Sequence, residues 1–146
     1  AIRGGEGLVV NYGRCCGPVP GDPIVGHMTP GKGFVVHMAS CPNMQEVRRR
    51  RGDKELRPAY WANSPDNEFL TTLRIQVNRK KGIIAELATA VADPDAGVEN
   101  ICVEERSAEV TSVIVNVSVT DRDSLARVMR KIRAIPSVLS ISRVSQ

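Results

Sequence analysis

The chain reads as an α+β protein: a small strand-turn-strand-helix module carrying most of the cysteines, followed by a ferredoxin-like βαββαβ domain. Three observations predict this. From residue 69 onward, period-2 apolar segments alternate with two stripes of helical period, in the order strand, helix, strand, strand, helix, strand. Before that, Gly17, Gly21, Gly26, Gly31 and Gly33 alternate with Pro18, Pro20, Pro23 and Pro30, leaving room only for brief strands. Between the two lies a stretch with Pro58, Pro65, Asn63, Asp66 and Asn67 and no sustained periodicity, which reads as a linker. The division predicted is a module over 1–52, a linker over 53–68 and a domain over 69–146.

In the first module the brief strands fall at 24–28 and 33–37. Ser40 or Cys41 then opens a helix with Pro42 in its first turn, continuing to about Arg50. Arg48, Arg49, Arg50 and Arg51 stand at its C-terminal end, where cations suit the helix dipole. Tyr60 and Trp61 are out of place in a free linker and are expected to pack on a flanking domain.

In the second domain Leu73, Ile75 and Val77 alternate along a strand at 69–78. Ile83, Ile84, Leu87, Ala88 and Val91 make an apolar stripe on a helix at 82–92, ended by Pro94 and Gly97. A second strand follows at 98–105, with Cys102 expected in the core. A turn at Ala108-Glu109 leads to a third strand at 110–120, whose Val113, Val115, Val117 and Val119 share one face. Asp121 caps a helix carrying Leu125, Val128, Met129 and Ile132, which Pro136 stops before a last strand at 138–144. Right-handed crossovers place both helices on one face of a four-stranded antiparallel sheet. The other face calls for a cover, and a homodimer through this domain is one expectation.

Composition narrows the function classes. A chain of 146 residues, 42% apolar and 25% charged, can bury one ordinary core or two small ones. No apolar run reaches the roughly 18 residues a membrane helix needs, and Ala1 to Gly7 is too polar and glycine-rich for a signal peptide. The chain does not begin with Met and is read as a piece of a longer one. Four cysteines, two of them adjacent, favour a reducing compartment over a disulfide framework, hence a cytoplasmic expectation with no membrane partner. The net charge of +4 is gathered in blocks at 48–51, at 79–81, and at Arg127, Arg130, Lys131 and Arg133, which could neutralise phosphates. With five aromatics in all, a base-stacking platform is not expected, so any nucleic-acid contact is with backbone and shape. No nucleophile elbow, dinucleotide fingerprint, His-Asp pair or paired carboxylate is present, so no catalytic role is expected.

Two constellations carry chemistry. Cys15, Cys16, His37 and Cys41 offer the thiolate and imidazole ligands zinc prefers, and His-x3-Cys is an acceptable half-site. Against this, adjacent cysteines tend to diverge, and all four residues also suit a small buried core. A third reading is a Cys41 thiolate stabilised by the helix start and hence redox-sensitive. His27 is read as structural. The second constellation is Asn78, Arg79, Lys80, Lys81, Gly82, Ile83 and Ile84, where a strand gives way to a helix start. Free N–H groups and cations there can hold a carboxylate, as of a zwitterionic amino acid, and an exposed basic turn is the alternative. The glycine turns at 18–22 and 29–33 lack the Walker A pattern and are read as hairpin turns.

The run Tyr12-Gly13-Arg14-Cys15-Cys16-Gly17-Pro18-Val19-Pro20-Gly21-Asp22-Pro23-Ile24 is followed by Gly31-Lys32-Gly33, by His37 with Cys41, and by Arg127-Val128-Met129-Arg130-Lys131-Ile132-Arg133 before Pro136. Together these closely resemble the C-terminal regulatory region of RelA/SpoT homologues, the enzymes that make and degrade (p)ppGpp, and the SpoT-like branch in particular. The resemblance covers nearly the whole chain. It implies that 1–52 is the conserved-cysteine module, also called the zinc-finger or ribosome-intersubunit domain, and that 69–146 is an ACT domain, a fold that often binds amino acids at dimer interfaces. It further implies that the family's hydrolase and synthetase domains, with their metals, lie upstream. Contacts with ribosomal and transfer RNA would fall to the basic blocks. The leading expectation is a stringent-response sensor that shifts synthesis against hydrolysis on binding a branched-chain amino acid or a regulatory protein. The alternative is an RNA- or ribosome-docking module using Arg48, Arg49, Arg50 and Arg51, with no small-molecule sensing.

Overall fold

The computed structural model describes residues 2–3, 10–29, 31, 33–62 and 67–144, and all of their side chains except those of Ile2, Arg3 and Glu105. The first module comprises β1 (Ile2–Arg3), β2 (Val10–Tyr12), β3 (Ile24–Thr29), β4 (Gly33–Met38), α1 (Pro42–Arg51), β5 (Leu56–Pro58) and β6 (Tyr60–Trp61). Four of the strands form a sheet in the order β2-β4-β3-β5, with β2 parallel to β4 and the other pairs antiparallel. The two brief strands expected from the glycine spacing are present, each one residue longer than read. The stretch read as a linker holds β5, which adds an outer strand to this sheet, and β6, which pairs with β1. Gly26 is required where β3 crosses Phe34, which is fully buried: a Cβ at Gly26 would collide with the phenyl ring. Cys41 caps α1 without a side-chain hydrogen bond, Pro42 fills the first turn, and all four arginines occupy the last turn.

The second domain runs β7 (Phe69–Asn78), α2 (Ile83–Val91), β8 (Ala96–Arg106), β9 (Val110–Val119), α3 (Arg122–Arg133) and β10 (Val138–Arg143). Its antiparallel sheet has the order β10-β7-β9-β8, the ferredoxin-like arrangement. Register places Leu73 opposite Val115 and Ile75 opposite Val113, all four with no solvent exposure. Ile83, Leu87 and Val91 from α2 and Leu125, Val128 and Ile132 from α3 close over that face. Each fully buried aliphatic side chain contributes about 1.5–3 kcal/mol. Asp121 caps α3 as read from sequence, and does so in a full capping box: Asp121 Oδ1 accepts Ser124 N at 2.8 Å, and Ser124 Oγ accepts Asp121 N at 3.1 Å.

Cys102 corrects a sequence expectation: it is exposed, not core. It faces Ile114 across the ladder, whereas its neighbour Ile101 faces the buried Val115. Apolar neighbours made the strand read as covered on both faces, but β8 is an edge strand covered on one.

The turn read as a hairpin at 18–22 is also corrected: it joins β2 to β3, which lie on either side of β4 and do not pair with each other, and it packs against the second domain. Val19 has no exposure and belongs to that domain's core. Arg122 N donates to Pro20 O at 2.7 Å. Tyr12 stacks on Trp61 at 6.1 Å, and Phe69 meets both rings edge-on at 5.3 and 5.4 Å. Trp61 packs as expected, while Tyr60 remains 62% exposed. Asp22, with its side chain 1% exposed, takes a forked contact from Arg143 at 3.0 and 2.9 Å and accepts Val19 N at 2.9 Å. Removing one partner of such a buried pair costs about 3–5 kcal/mol.

Candidate metal centre and ligand cleft

Three separate elements bring the four predicted ligands together: the turn after β2 supplies Cys15 and Cys16, β4 supplies His37, and the start of α1 supplies Cys41. The turn curls because Gly17 N bonds back to Gly13 O at 2.9 Å, which overrides the expected divergence of adjacent thiols. Cys15 Sγ lies 3.9 Å from Cys16 Sγ, 3.6 Å from Cys41 Sγ and 3.3 Å from His37 Nδ1, and Cys16 Sγ lies 3.6 Å from Nδ1. All four ligand atoms fall within 4.8 Å of one another. A tetrahedron with zinc–sulfur bonds near 2.3 Å and a zinc–nitrogen bond near 2.0 Å has edges of roughly 3.5–3.8 Å. The donor set therefore fits a tetrahedral metal in both chemistry and spacing.

The surroundings bear on charge. Burial, reinforced by the neighbouring His27, lowers the His37 pKa to about 4, so the ring is neutral at pH 7 and Nδ1 can offer a lone pair. Burial pushes the Cys16 thiol well up, against the pull of the Met38 N–H, which donates to its Sγ at 3.2 Å. Burial likewise raises Cys41. The N–H groups of Met44 and Asn43 at the helix start do pull it down, as the redox reading supposed, but burial outweighs them. Without metal these two thiols keep their protons, and a metal would have to displace them. The small-core reading also holds in part, because Cys16 and Cys41 pack with Met44, Val47 and Leu56. His27 is no member of the cluster: its Nε2 pairs with Glu55 at 3.0 Å.

The second constellation lines a cleft of about 440 Å³. Arg79, Lys80, Gly82, Ile83 and Ile84 border it together with Lys81, whereas Asn78 ends β7 outside the lining. Gly82 caps α2 in the left-handed conformation (φ 81°) with no side-chain cap, and the space above its Cα is open. Sequence reasoning missed Val103, Arg106 and Thr111 on the opposite wall. They belong to the β8–β9 hairpin, where Arg106 pairs with Thr111 and Thr111 pairs with Val77. Only strand pairing joins them to the loop. Four cations and no carboxylate line the cleft, and Lys80 Nζ reaches Glu86 at 3.2 Å.

The four arginines of α1 are exposed and paired: Arg48 with Asp53 at 2.9 Å, Arg49 and Arg50 with Glu46, and Arg51 with Glu55 at 2.9 Å. Exposed pairs of this kind contribute about 0–1 kcal/mol each. Among the described residues no helix is long and apolar enough to cross a membrane.

Comparison with known proteins places these features. Residues 1–57 match the RelA/SpoT RIS domain and residues 65–143 match the ACT domain. The bifunctional (p)ppGpp synthase/hydrolase SpoT of Escherichia coli K12 is 32% identical over 142 residues, 97% of this chain and 20% of that protein. The GTP pyrophosphokinase of the same organism is 26% identical over 144 residues, 98% of this chain and 19% of that one. The chain thus spans about a fifth of the length of these curated relatives. The crystal structure of the ACT domain from GTP pyrophosphokinase of Chlorobium tepidum aligns with a TM-score of 0.46 at 20% identity, covering 53% of this chain and all of that one.

Proposed function

The chain belongs to the RelA/SpoT homologues, as a RIS domain followed by an ACT domain, and from that premise we propose that it is the non-catalytic part of a stringent-response enzyme, setting (p)ppGpp synthesis against hydrolysis in domains upstream. The carrying observation is that the two matched modules account for nearly the whole chain and neither is catalytic. The metal at Cys15, Cys16, His37 and Cys41 is zinc, in a structural role, since four protein ligands leave no open position for chemistry.

The ligand of the cleft is a branched-chain amino acid. Its carboxylate meets Arg79, Lys80 and the Ile84 N–H in the first turn of α2, and its side chain meets Ile83, Ile84 and Val103. Such a ligand acts only through its preference for one conformation over another. Isothermal titration of valine, leucine and isoleucine into the chain tests this: saturable heat at millimolar ligand is expected, and its absence refutes the ligand assignment. Dimerisation through the ACT domain would cover Leu70 and Leu139, which are 60% and 53% exposed.

The exposure of Arg48 to Arg51 at the free end of α1 favours a second reading, ribosome or tRNA docking. It predicts affinity for structured RNA that falls steeply with salt and weakens when these arginines are replaced.

A further inference from the structure

Gly17 carries the chain directly from the metal cluster onto the ACT domain. Its φ of +55° and its contact with β7 both demand glycine, for a Cβ there would lie 2.8 Å from Thr71 Oγ1 and 3.0 Å from Thr71 Cα. The Gly17 carbonyl accepts a hydrogen bond from Arg143 Nη2 at 2.8 Å, and the same nitrogen lies 3.9 Å from Met38 Sδ. Met38 follows His37 and donates its N–H to Cys16 Sγ. One side chain at the end of the last ACT strand therefore touches the residue after Cys16 and the residue after His37. Asp22 holds that guanidinium through both carboxylate oxygens, and Asp22 is anchored in turn by Val19 N.

We propose that Arg143 is a positioning residue for the metal cluster, and that through it metal occupancy and docking of the ACT domain are coupled. The inference rests on the metal reading above. A tetrahedral metal tolerates only about 0.2 Å of error in its ligand distances, so the turn at 13–17 and the end of β4 must be held still. Without metal, the turn is held by the Gly17–Gly13 bond across its ends, by Val36 O at the Gly13 N–H and by the Met38 N–H at Cys16 Sγ. A metal would add bonds to Cys15 and Cys16 within that turn, and so fix further the carbonyl that Arg143 meets. Coupling of this kind is reciprocal: if metal tightens the docking by some factor, docking tightens metal binding by the same factor. The RIS domain would then report metal status to the ACT domain.

The test is amide hydrogen exchange on the whole chain, with one equivalent of zinc and after chelation, together with zinc affinity measured by competition in wild type and Arg143→Gln. Zinc should slow exchange in β10 and at Val144, whose N–H bonds to Thr72 O, by about 5-fold or more, the lower range of measured couplings. Arg143→Gln should still bind one zinc, with affinity reduced by the same factor and with β10 exchange no longer responding to zinc. Arg143→Lys, which keeps the charge but loses the fork, should not restore the coupling. Zinc uptake with unchanged β10 exchange, or unchanged zinc affinity in Arg143→Gln, overturns the coupling alone. No zinc uptake by the wild type overturns the metal reading with it. The wild-type comparison needs no variant, so it stands even where Arg143→Gln fails to fold.

Discussion

Replacing Gly13 with alanine should cripple metal binding without touching a ligand. Gly13 is pinned on both sides of its peptide, its N–H to Val36 O at 2.8 Å and its carbonyl to Gly17 N at 2.9 Å, so the backbone has little room to retreat. A Cβ on it would overlap His37 Nδ1, lie 2.6 Å from Cε1 and 3.2 Å from Cγ. Carbon atoms settle at about 3.5 Å or more, so the imidazole must withdraw by roughly 0.9 Å. That exceeds the ~0.2 Å a metal ligand tolerates. One of four ligands is therefore lost or badly misdirected. Disturbing even the residues that orient a ligand typically costs 10–100-fold in affinity, or about 1.4–2.8 kcal/mol, and the loss here should be at least that. Competition with a chromophoric chelator measures it directly. Wild-type zinc affinity in Gly13→Ala, with His37 still ligating, would refute the reasoning.

Other perturbations have equally definite outcomes. Asp93, held by the Asp95 N–H and then by Lys131 and Arg127, has its pKa lowered from 3.8 to about 2. The stability it adds is present above pH 3.8 and lost as pH falls through about 2. The melting-temperature gap between wild type and Asp93→Asn should thus be constant near neutrality and close in strong acid. Gly26→Ala drives a methyl into the buried Phe34 ring and should cost about 1–3 kcal/mol or more in urea unfolding. Gly97→Ala, whose Cβ would meet only Ser118 Oγ at 3.4 Å, should stay within about 0.5 kcal/mol of wild type. Iodoacetamide applied to the native chain should alkylate the exposed Cys102 before Cys16 and Cys41, which are 5% and 1% exposed, with the order read by peptide mass mapping.

Local signals made the ACT domain legible. Val113, Val115, Val117 and Val119 alternate over one covered face, and Asp121 and Pro136 bracket a helix, so periodicity and capping carry the information without distant contacts. The metal ligands were legible as residue types. Their convergence was not, because it depends on a glycine-bounded turn closing through a single backbone bond. The far wall of the cleft, Val103, Arg106 and Thr111, exists only once β8 and β9 pair beside β7. The junction was the least legible part. Val19 and Asp22 sit in a proline-glycine run that looks like surface, and what buries them, Arg143 and the ACT core, lies more than a hundred residues away in sequence for Arg143. Cys102 failed for a related reason, since no local pattern marks which face of an edge strand stays open.

The central claim is that this region governs catalytic domains it does not contain. The direct measurement is the ratio of (p)ppGpp synthesis to hydrolysis in the full-length protein, with and without millimolar valine, in wild type and in an Arg79→Ala, Lys80→Ala double variant. Valine should shift the ratio in wild type and leave it unmoved in the double variant, and deletion of the region should fix the ratio at one value. A ratio that responds identically to valine in all three proteins, or in none while the region can be deleted without effect, would contradict the claim.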